Sequence, residues 1–205
     1  MGVSPRQRDA ALRESLLATA AQVLAEEGGP ALSTRRLARE LGVSTTAVYT
    51  YFGSVEQLRR EVRLEGFRRL EETMDPPAED PVAALAGAAA AFFRFGMAEP
   101  HLYRAMFVDR PLDEDRAGEA CFLLLRKILD RAVGSGRFAG VPAEQTEMCA
   151  AQVWSTQHGL ATMVLSGALP EAAGRAALAD LLVRLAIGYG DAPDRAARSV
   201  TGALR

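Results

Sequence analysis

The chain is poor in the residues that enzymes most often place at their centres. Its 205 residues include 2 histidines, 2 cysteines and 1 tryptophan, and Lys127 is its single lysine. His101 and His158 have no metal-ligand spacing, and no Glu-x-x-His pair is present to build a di-metal helical bundle. No glycine-rich phosphate loop follows a strand pattern, and there is no nucleophile elbow. Catalysis is therefore not expected, and neither a metal nor an organic cofactor is expected. Cys121 and Cys149 sit in apolar helical context without paired spacing, which reads as buried free thiols in a reducing cytosol. No basic-then-apolar leader precedes the first helix, so a cytoplasmic location is expected.

Long membrane-like runs are also scarce. Met148 to Pro170 carries no charge and is long enough to span a bilayer. Yet Gln152, Ser155, Thr156, Gln157, His158 and Ser166 hold its hydrophobicity below that of a good spanning helix. A charge-free helix in a soluble protein is buried on most sides, so this segment is expected at the centre of a body or at a subunit interface, with no membrane partner.

What is present favours helices. Aromatics make up 6% and alanine is abundant, while 49% of residues are hydrophobic and 24% charged. The net charge is −2, unevenly spread: residues 1–70 hold 11 arginines against 8 acidic side chains, and the remainder 13 basic against 18 acidic. A basic head on an acidic body suits a polyanion at the N-terminal end, though ordinary solvated helix faces would look the same.

Breaks fall at Gly28-Gly29-Pro30, Gly42, Gly53-Ser54, Asp75-Pro76-Pro77, Glu99-Pro100, Pro111, Gly134-Ser135-Gly136, Val141-Pro142, Gly167 to Pro170 and Gly188 to Pro193. Between them apolar residues recur at three and four, never at two. In the first helix Leu12, Leu16, Ala20, Val23 and Leu24 share one face, and Gly28-Gly29 supplies a stop. The pattern predicts an all-α protein of about nine helices, three short ones early and longer ones after residue 80.

Residues 33–52 read STRRLARELGVSTTAVYTYF. Ser33 and Ser44 suit N-caps, Gly42 suits the left-handed residue of a tight turn, and Leu37, Ala38, Leu41, Val43, Val48 and Phe52 suit the interior. Two short helices joined by such a turn form a helix-turn-helix. Ala38 allows the two helices to approach. The outward face of the second carries Thr45, Thr46, Tyr49 and Thr50, short hydroxyls and a phenol able to reach base edges and phosphates. Arg35 and Arg36 stand in the first turn of the preceding helix, where cations oppose the helix dipole at a cost of ~0.3–1 kcal/mol each. Phosphate contact would give that cost a use; plain solvation of both arginines is the alternative.

The pattern Ser33-Thr34-x-x-Leu37-Ala38-x-x-Leu41-Gly42-Val43-Ser44, followed by Val48-Tyr49-x-Tyr51-Phe52-x-Ser54-x-Glu56-x-Leu58, resembles the N-terminal signature of TetR-type repressors, in register over residues 8–60. The resemblance implies a DNA-binding set of Ser33, Thr34, Arg35, Arg36, Thr45, Thr46, Tyr49 and Thr50, with Tyr51 in the core. Two positions depart from it. Val55 stands where the family commonly has a phosphate-contacting lysine, and Arg36 stands where an acidic residue would complete a capping box.

The body resembles one subgroup of TetR C-terminal domains through Pro100-x-Leu102-Tyr103-Arg104-x-Met106-Phe107 and Trp154-x-x-x-His158-Gly159-Leu160. The implied architecture is an N-terminal three-helix bundle with the helix-turn-helix (1–53), a connecting helix and linker (54–80), and a C-terminal helical effector-binding and dimerisation domain (81–205). The implied effector pocket draws on Phe92, Phe93, Gly96, Tyr103, Met106, Phe107, Phe122, Gln152, Ser155 and His158. Its aromatic and methionine lining suits a small, mostly apolar effector. Plain core is the competing reading of the aromatics, and a satisfied buried partner that of His158, Gln152 and Ser155. The implied dimer interface draws on Trp154, Met163, Leu178, Leu181, Leu182 and Leu185, because an exposed apolar face of that size would be a liability on a monomer. The expected partners are thus near-palindromic double-stranded operator DNA, a small apolar effector and a second copy of the chain. A helical binding module whose head no longer meets DNA is the remaining alternative, and repression over activation is a family-level expectation.

Overall fold

A computed structural model describes residues 5–74, 78–107 and 116–204. The expected breaks at Asp75-Pro76-Pro77 and Pro111 lie outside the described residues. Every regular element among them is helical. Ten α-helices run α1 (Pro5–Glu27), α2 (Thr34–Leu41), α3 (Thr45–Phe52), α4 (Val55–Met74), α5 (Pro81–Ala98), α6 (Pro100–Phe107), α7 (Glu119–Gly134), α8 (Thr146–Leu165), α9 (Glu171–Gly188) and α10 (Pro193–Ala203). Single 3-10 turns lie at Gly29–Ala31 and Ala143–Gln145. The expectation of three short early helices fits α2 and α3 only: α1 runs for 23 residues because Leu16, Leu17, Ala20, Ala21, Val23 and Leu24 give it an unbroken buried stripe. A separate α10 follows the Gly188–Pro193 break, started by Pro193 at its first turn.

The chain divides into two compact units, Met1–Arg68 with Glu99–Ala117, and Arg69–Ala98 with Gly118–Arg205. In the first, the head, α1 packs against α2 and α6, and α2 against α3. Helix α6 belongs here rather than with the helices that follow it, because its buried face (Leu102, Tyr103, Ala105, Met106) is used on α1 and the first part of α4. Phe67 meets Phe107 edge-on at 5.5 Å, and Arg63, itself buried, donates to the carbonyl of Met106. Gly66 permits this crossing, since a Cβ there would run into the Met106 side chain.

In the second unit, the body, α5 is the hub, packed against α7, α8, α9 and α10. It is long and apolar enough to cross a membrane by length and composition, and 72% of that window is buried inside the fold, as the core helix of a bundle would be. The charge-free segment has two unlike faces. Helix α8 buries one side (Thr146, Cys149, Ala150, Val153, Gln157, Ala161) and leaves the other exposed at Met148, Gln152, Ser155, Gly159 and Met163.

Arg137, between α7 and α8, fastens the body. Its Nε and Nη2 donate to Asp191 Oδ1 and Oδ2 at 2.9 and 2.6 Å, and its Nη1 to Asp80 Oδ1 at 2.5 Å. Ser199 Oγ donates to Asp80 Oδ2 at 2.6 Å, and Asp80 Oδ1 also accepts from the Val82 N–H at the start of α5. One guanidinium thus joins the start of α5, the segment before α10 and α10 itself. Both cysteines are buried and neither forms a disulfide.

Candidate functional site

The head is built by caps and a turn. Ser33 precedes α2 in extended conformation, and its Oγ accepts the Arg36 N–H at 3.3 Å. Ser44 does the same for α3, accepting the Ala47 N–H at 3.1 Å. Between them Gly42 adopts φ 66, ψ 29, a left-handed conformation that side chains other than glycine's resist. The chain returns through Val43, which is half-buried and donates its N–H to the Ala38 carbonyl at 2.9 Å.

Leu37, Ala38, Val48 and Phe52 are buried, so α3 is held by one face. The face left over carries Thr45, Thr46, Tyr49 and Thr50, all exposed. Tyr49 is 52% exposed. Thr50 donates its hydroxyl back to the Thr46 carbonyl at 2.9 Å, which fixes its rotamer. Tyr51 turns the other way, half-buried, with its hydroxyl donating to Asp9 Oδ1 at 3.3 Å. Burial raises the Tyr51 pKa, and the Asp9 charge adds to the shift.

The two arginines diverge. Arg36 donates from both terminal nitrogens to Glu27, at 2.6 and 2.5 Å, and from Nε to Glu40 at 2.8 Å. Its unfavourable place in the first turn of α2 is therefore offset within the chain. The Arg36 hydrogen bonds hold the Glu27 carboxyl below its usual range. Arg35 is exposed without a partner among the described residues, and Thr34 is buried. Val55, half-buried, leaves the start of α4 without a cation, while Ser54 caps it by accepting the Gln57 N–H at 3.0 Å.

The residues expected around an effector are split. Tyr103, Met106 and Phe107 belong to the head unit, where Tyr103 and Phe107 meet as a tilted pair at 4.8 Å. In the body, Phe92 meets Trp154 edge-on at 5.2 Å and His158 at 6.3 Å, and Phe122 lies 6.2 Å from Trp154. Burial lowers the pKa of His158, favouring the neutral imidazole. Gly96 is buried one turn beyond Phe92 on α5. Phe93 leaves α5 on another side, into a groove of about 530 Å³ lined also by Arg94, Arg175, Leu178 and Leu204. Gln152 and Ser155 point to the exposed side of α8, where Gln152 accepts the Tyr189 hydroxyl at 2.7 Å.

Of the residues expected between subunits, Leu178 and Leu182 are used up in the body's own core, 3% and 2% exposed. Trp154 and Leu185 are half-buried, and Met163 and Leu181 are open at 46% and 37%. Met148 and Ile187 join them as exposed apolar side chains on α8 and α9.

Sequence reasoning missed Gln157, which is fully buried on α8, and the cluster of Asp80, Arg137, Asp191 and Ser199. Spacing alone could have flagged Gln157, because it shares the face of Ala150, Val153 and Ala161. Nothing local marks Arg137, whose partners lie 54 to 62 residues away.

An all-helical chain with a capped, glycine-turned pair of short helices and an open hydroxyl face on the second is a helix-turn-helix DNA-binding regulator. Residues 16–62 match the family of bacterial regulatory proteins, tetR family, and residues 85–186 match the tetracyclin repressor-like C-terminal domain. The chain belongs to the TetR family of transcriptional regulators. It is 26% identical over 181 residues to an uncharacterized HTH-type transcriptional regulator of Mycobacterium tuberculosis, covering 86% of this chain and 80% of that one. The TetR-family regulator PfmR of Thermus thermophilus superposes with a TM-score of 0.70 at 26% identity, over 82% of this chain and 97% of the other. A TetR variant of Acinetobacter baumannii, solved in complex with minocycline, shares the fold with a TM-score of 0.59 at 20% identity, over 92% and 97% of the two chains.

Proposed function

We propose that this regulator is a homodimeric repressor whose heads read a near-palindromic operator and whose body releases DNA when it takes up a small, mostly apolar effector. The observation that carries the reading is the exposed face of α3: Thr45, Thr46, Tyr49 and Thr50 project from a helix pinned by Val48 and Phe52. A rigid helix offering short hydroxyls and one phenol suits the major groove. Ser33, Thr34 and Arg35 begin the preceding helix, where N–H groups and a cation suit phosphates. Arg36 serves mainly to lock α2 to the end of α1 through Glu27, and reaches phosphate only at the expense of that pair.

The dimer reading rests on the apolar side chains left bare on α8 and α9, namely Met148, Met163, Leu181 and Ile187. Pairing these helices across a two-fold axis as a four-helix bundle would cover them. The effector reading rests on the half-buried aromatic group of Phe122, Trp154 and His158 around Phe92. The minocycline complex of the Acinetobacter relative supports it by analogy. An effector preferring a body conformation in which the heads are mis-spaced for successive grooves weakens DNA binding. A coupling of ~1–3 kcal/mol gives a ~5–150-fold change.

The test is binding of the purified protein to its own upstream intergenic DNA at two salt concentrations, followed by fluorescence anisotropy. Saturable, salt-sensitive binding by two subunits or a multiple is expected, with Tyr49→Ala weakening it while leaving the thermal midpoint unchanged. Equal binding to random DNA, or full-strength binding by Tyr49→Ala, counts against the reading.

A further inference from the structure

Gln157 is 0% exposed, and neither its Nε2 nor its Oε1 has a hydrogen-bond partner among the described residues. The other buried polar side chains of the body are all answered among the described residues. Thr146 donates to the Ala143 carbonyl at 3.2 Å, and Arg137 and Asp191 satisfy each other. A buried amide left without partners is costly to the fold, and a leucine of similar size would avoid the cost. Its presence at that position points to a use outside folding.

The surroundings say which use. On α8, Gln157 lies in the chain between Trp154 and His158, the two rings that Phe92 of α5 meets at 5.2 and 6.3 Å. Gly96 and Ala88, one turn either side of Phe92 on the same face of α5, are buried and add little bulk there. Phe122 of α7 closes on Trp154 from the third helix. An aromatic group thus flanks the buried amide of Gln157 along α8, and the neutral form of His158 adds no charge. The two buried ions of the body, Arg137 and Asp191, are already paired with each other. Among the described residues of the body no other fully buried ion stands ready to neutralise a charged ligand, which would enter at a heavy desolvation cost.

We propose that Gln157 is the polar recognition group of the body's ligand site, and that the ligand is a neutral molecule with an apolar, ring-sized frame and one adjacent donor–acceptor pair of the carboxamide or lactam kind. Such a pair meets the side-chain amide in two reciprocal hydrogen bonds, Nε2 donating to the ligand carbonyl and Oε1 accepting its N–H. Burial leaves no water to compete for either. The proposal rests on the effector reading and narrows it to one chemistry.

Trp154 is the chain's single tryptophan, so its emission reports on this turn of α8 directly. The full-length protein is titrated with benzamide, toluene, benzoate and benzamidine, which share a ring and differ in polarity and charge. Benzamide is expected to change Trp154 emission saturably, with benzoate and benzamidine at least ten-fold weaker. In Gln157→Leu the benzamide-to-toluene affinity ratio is expected to fall at least ten-fold, while the melting temperature rises by about 2–4 °C. Gln157→Met serves as the second variant, with the same expectation. An unchanged ratio in both variants, binding of the charged probes as tight as that of benzamide, no saturable change with any probe, or loss of stability in both variants overturns the proposal. Operator binding measured alongside separates it from the effector reading. Benzamide that binds through Gln157 without weakening DNA binding sinks the effector reading alone. Operator release that persists undiminished in both variants sinks the Gln157 assignment alone.

Discussion

Arg137 and Asp191 form a bidentate ion pair inside the body, at 2.9 and 2.6 Å, with both side chains almost wholly shielded from water. Such a pair is expensive to bury and far more expensive to break, because removing one member strands the other. Its value is positional: the same guanidinium also holds Asp80 at the start of α5 and Ser199 on α10. Replacing Arg137 with methionine is expected to destabilise the protein by ~3–5 kcal/mol, since Asp191 then stays buried without its partner. Thermal or urea denaturation reads this, and an unchanged midpoint would show that the pair is dispensable. The double variant Arg137→Met, Asp191→Leu is expected to recover much of the loss.

Acid should loosen the same junction. Burial pushes the Asp80 carboxyl upward, but hydrogen bonds from Arg137, Ser199 and the Val82 N–H outweigh it and bring the pKa down to about 2. A folded value below the ordinary ~3.9 means that the stabilisation is present above about pH 4 and is lost as pH falls toward 2. The carboxylate is 37% exposed, so solvent screening keeps the effect modest. Urea midpoints at pH 6, 4 and 3 should decline for the parent chain. Asp80→Asn should start lower and decline less, and parallel declines in the two would remove Asp80 from the account.

The two arginines of α2 should separate in their salt dependence. Arg35 has no partner among the described residues, whereas Arg36 is engaged by Glu27 and Glu40. If Arg35 meets a phosphate in each subunit, Arg35→Ala should reduce the slope of log K against log salt by ~0.9 per head. Arg36→Ala should act mainly on stability, through the freed Glu27, and leave the slope near that of the parent. The reverse pattern would reassign the phosphate contact to Arg36.

Charge on the bare face of α8 should split the dimer. Met163 is 46% exposed, so Met163→Glu is harmless to an isolated chain and damaging when two copies bury it. Sedimentation velocity should show a monomer or a much weakened dimer. Leu178→Glu, at a side chain buried within the chain, should instead unfold the body. A Met163→Glu protein that sediments as the parent would place the subunit contact elsewhere.

Much of the head could be read directly from residues 33–52, because its determinants are local. Caps, a left-handed glycine and a three-to-four spacing of apolar residues act within one turn of where they stand, and Ser33, Gly42, Ser44, Val48 and Tyr49 take the positions expected of them. Arg36 was legible as an anomaly in its own helix. Its resolution by Glu27, nine residues earlier, depended on how α1 ends.

Sequence by itself determined the helical class, the capped pair of helices, the outward face of α3 and the apolar character of the body, since each follows from periodicity or composition along one segment. Tertiary structure decided what lies between segments. It turned Phe92 toward Trp154 and Phe93 toward α9, packed α6 against α1, and spent Leu178 and Leu182 in the core while leaving Met163 and Leu181 bare. It also brought Arg137 to partners more than fifty residues distant and left Gln157 buried without one. A helical period says that a face is covered but not by what, and pairings between distant side chains are set only when the helices choose their neighbours.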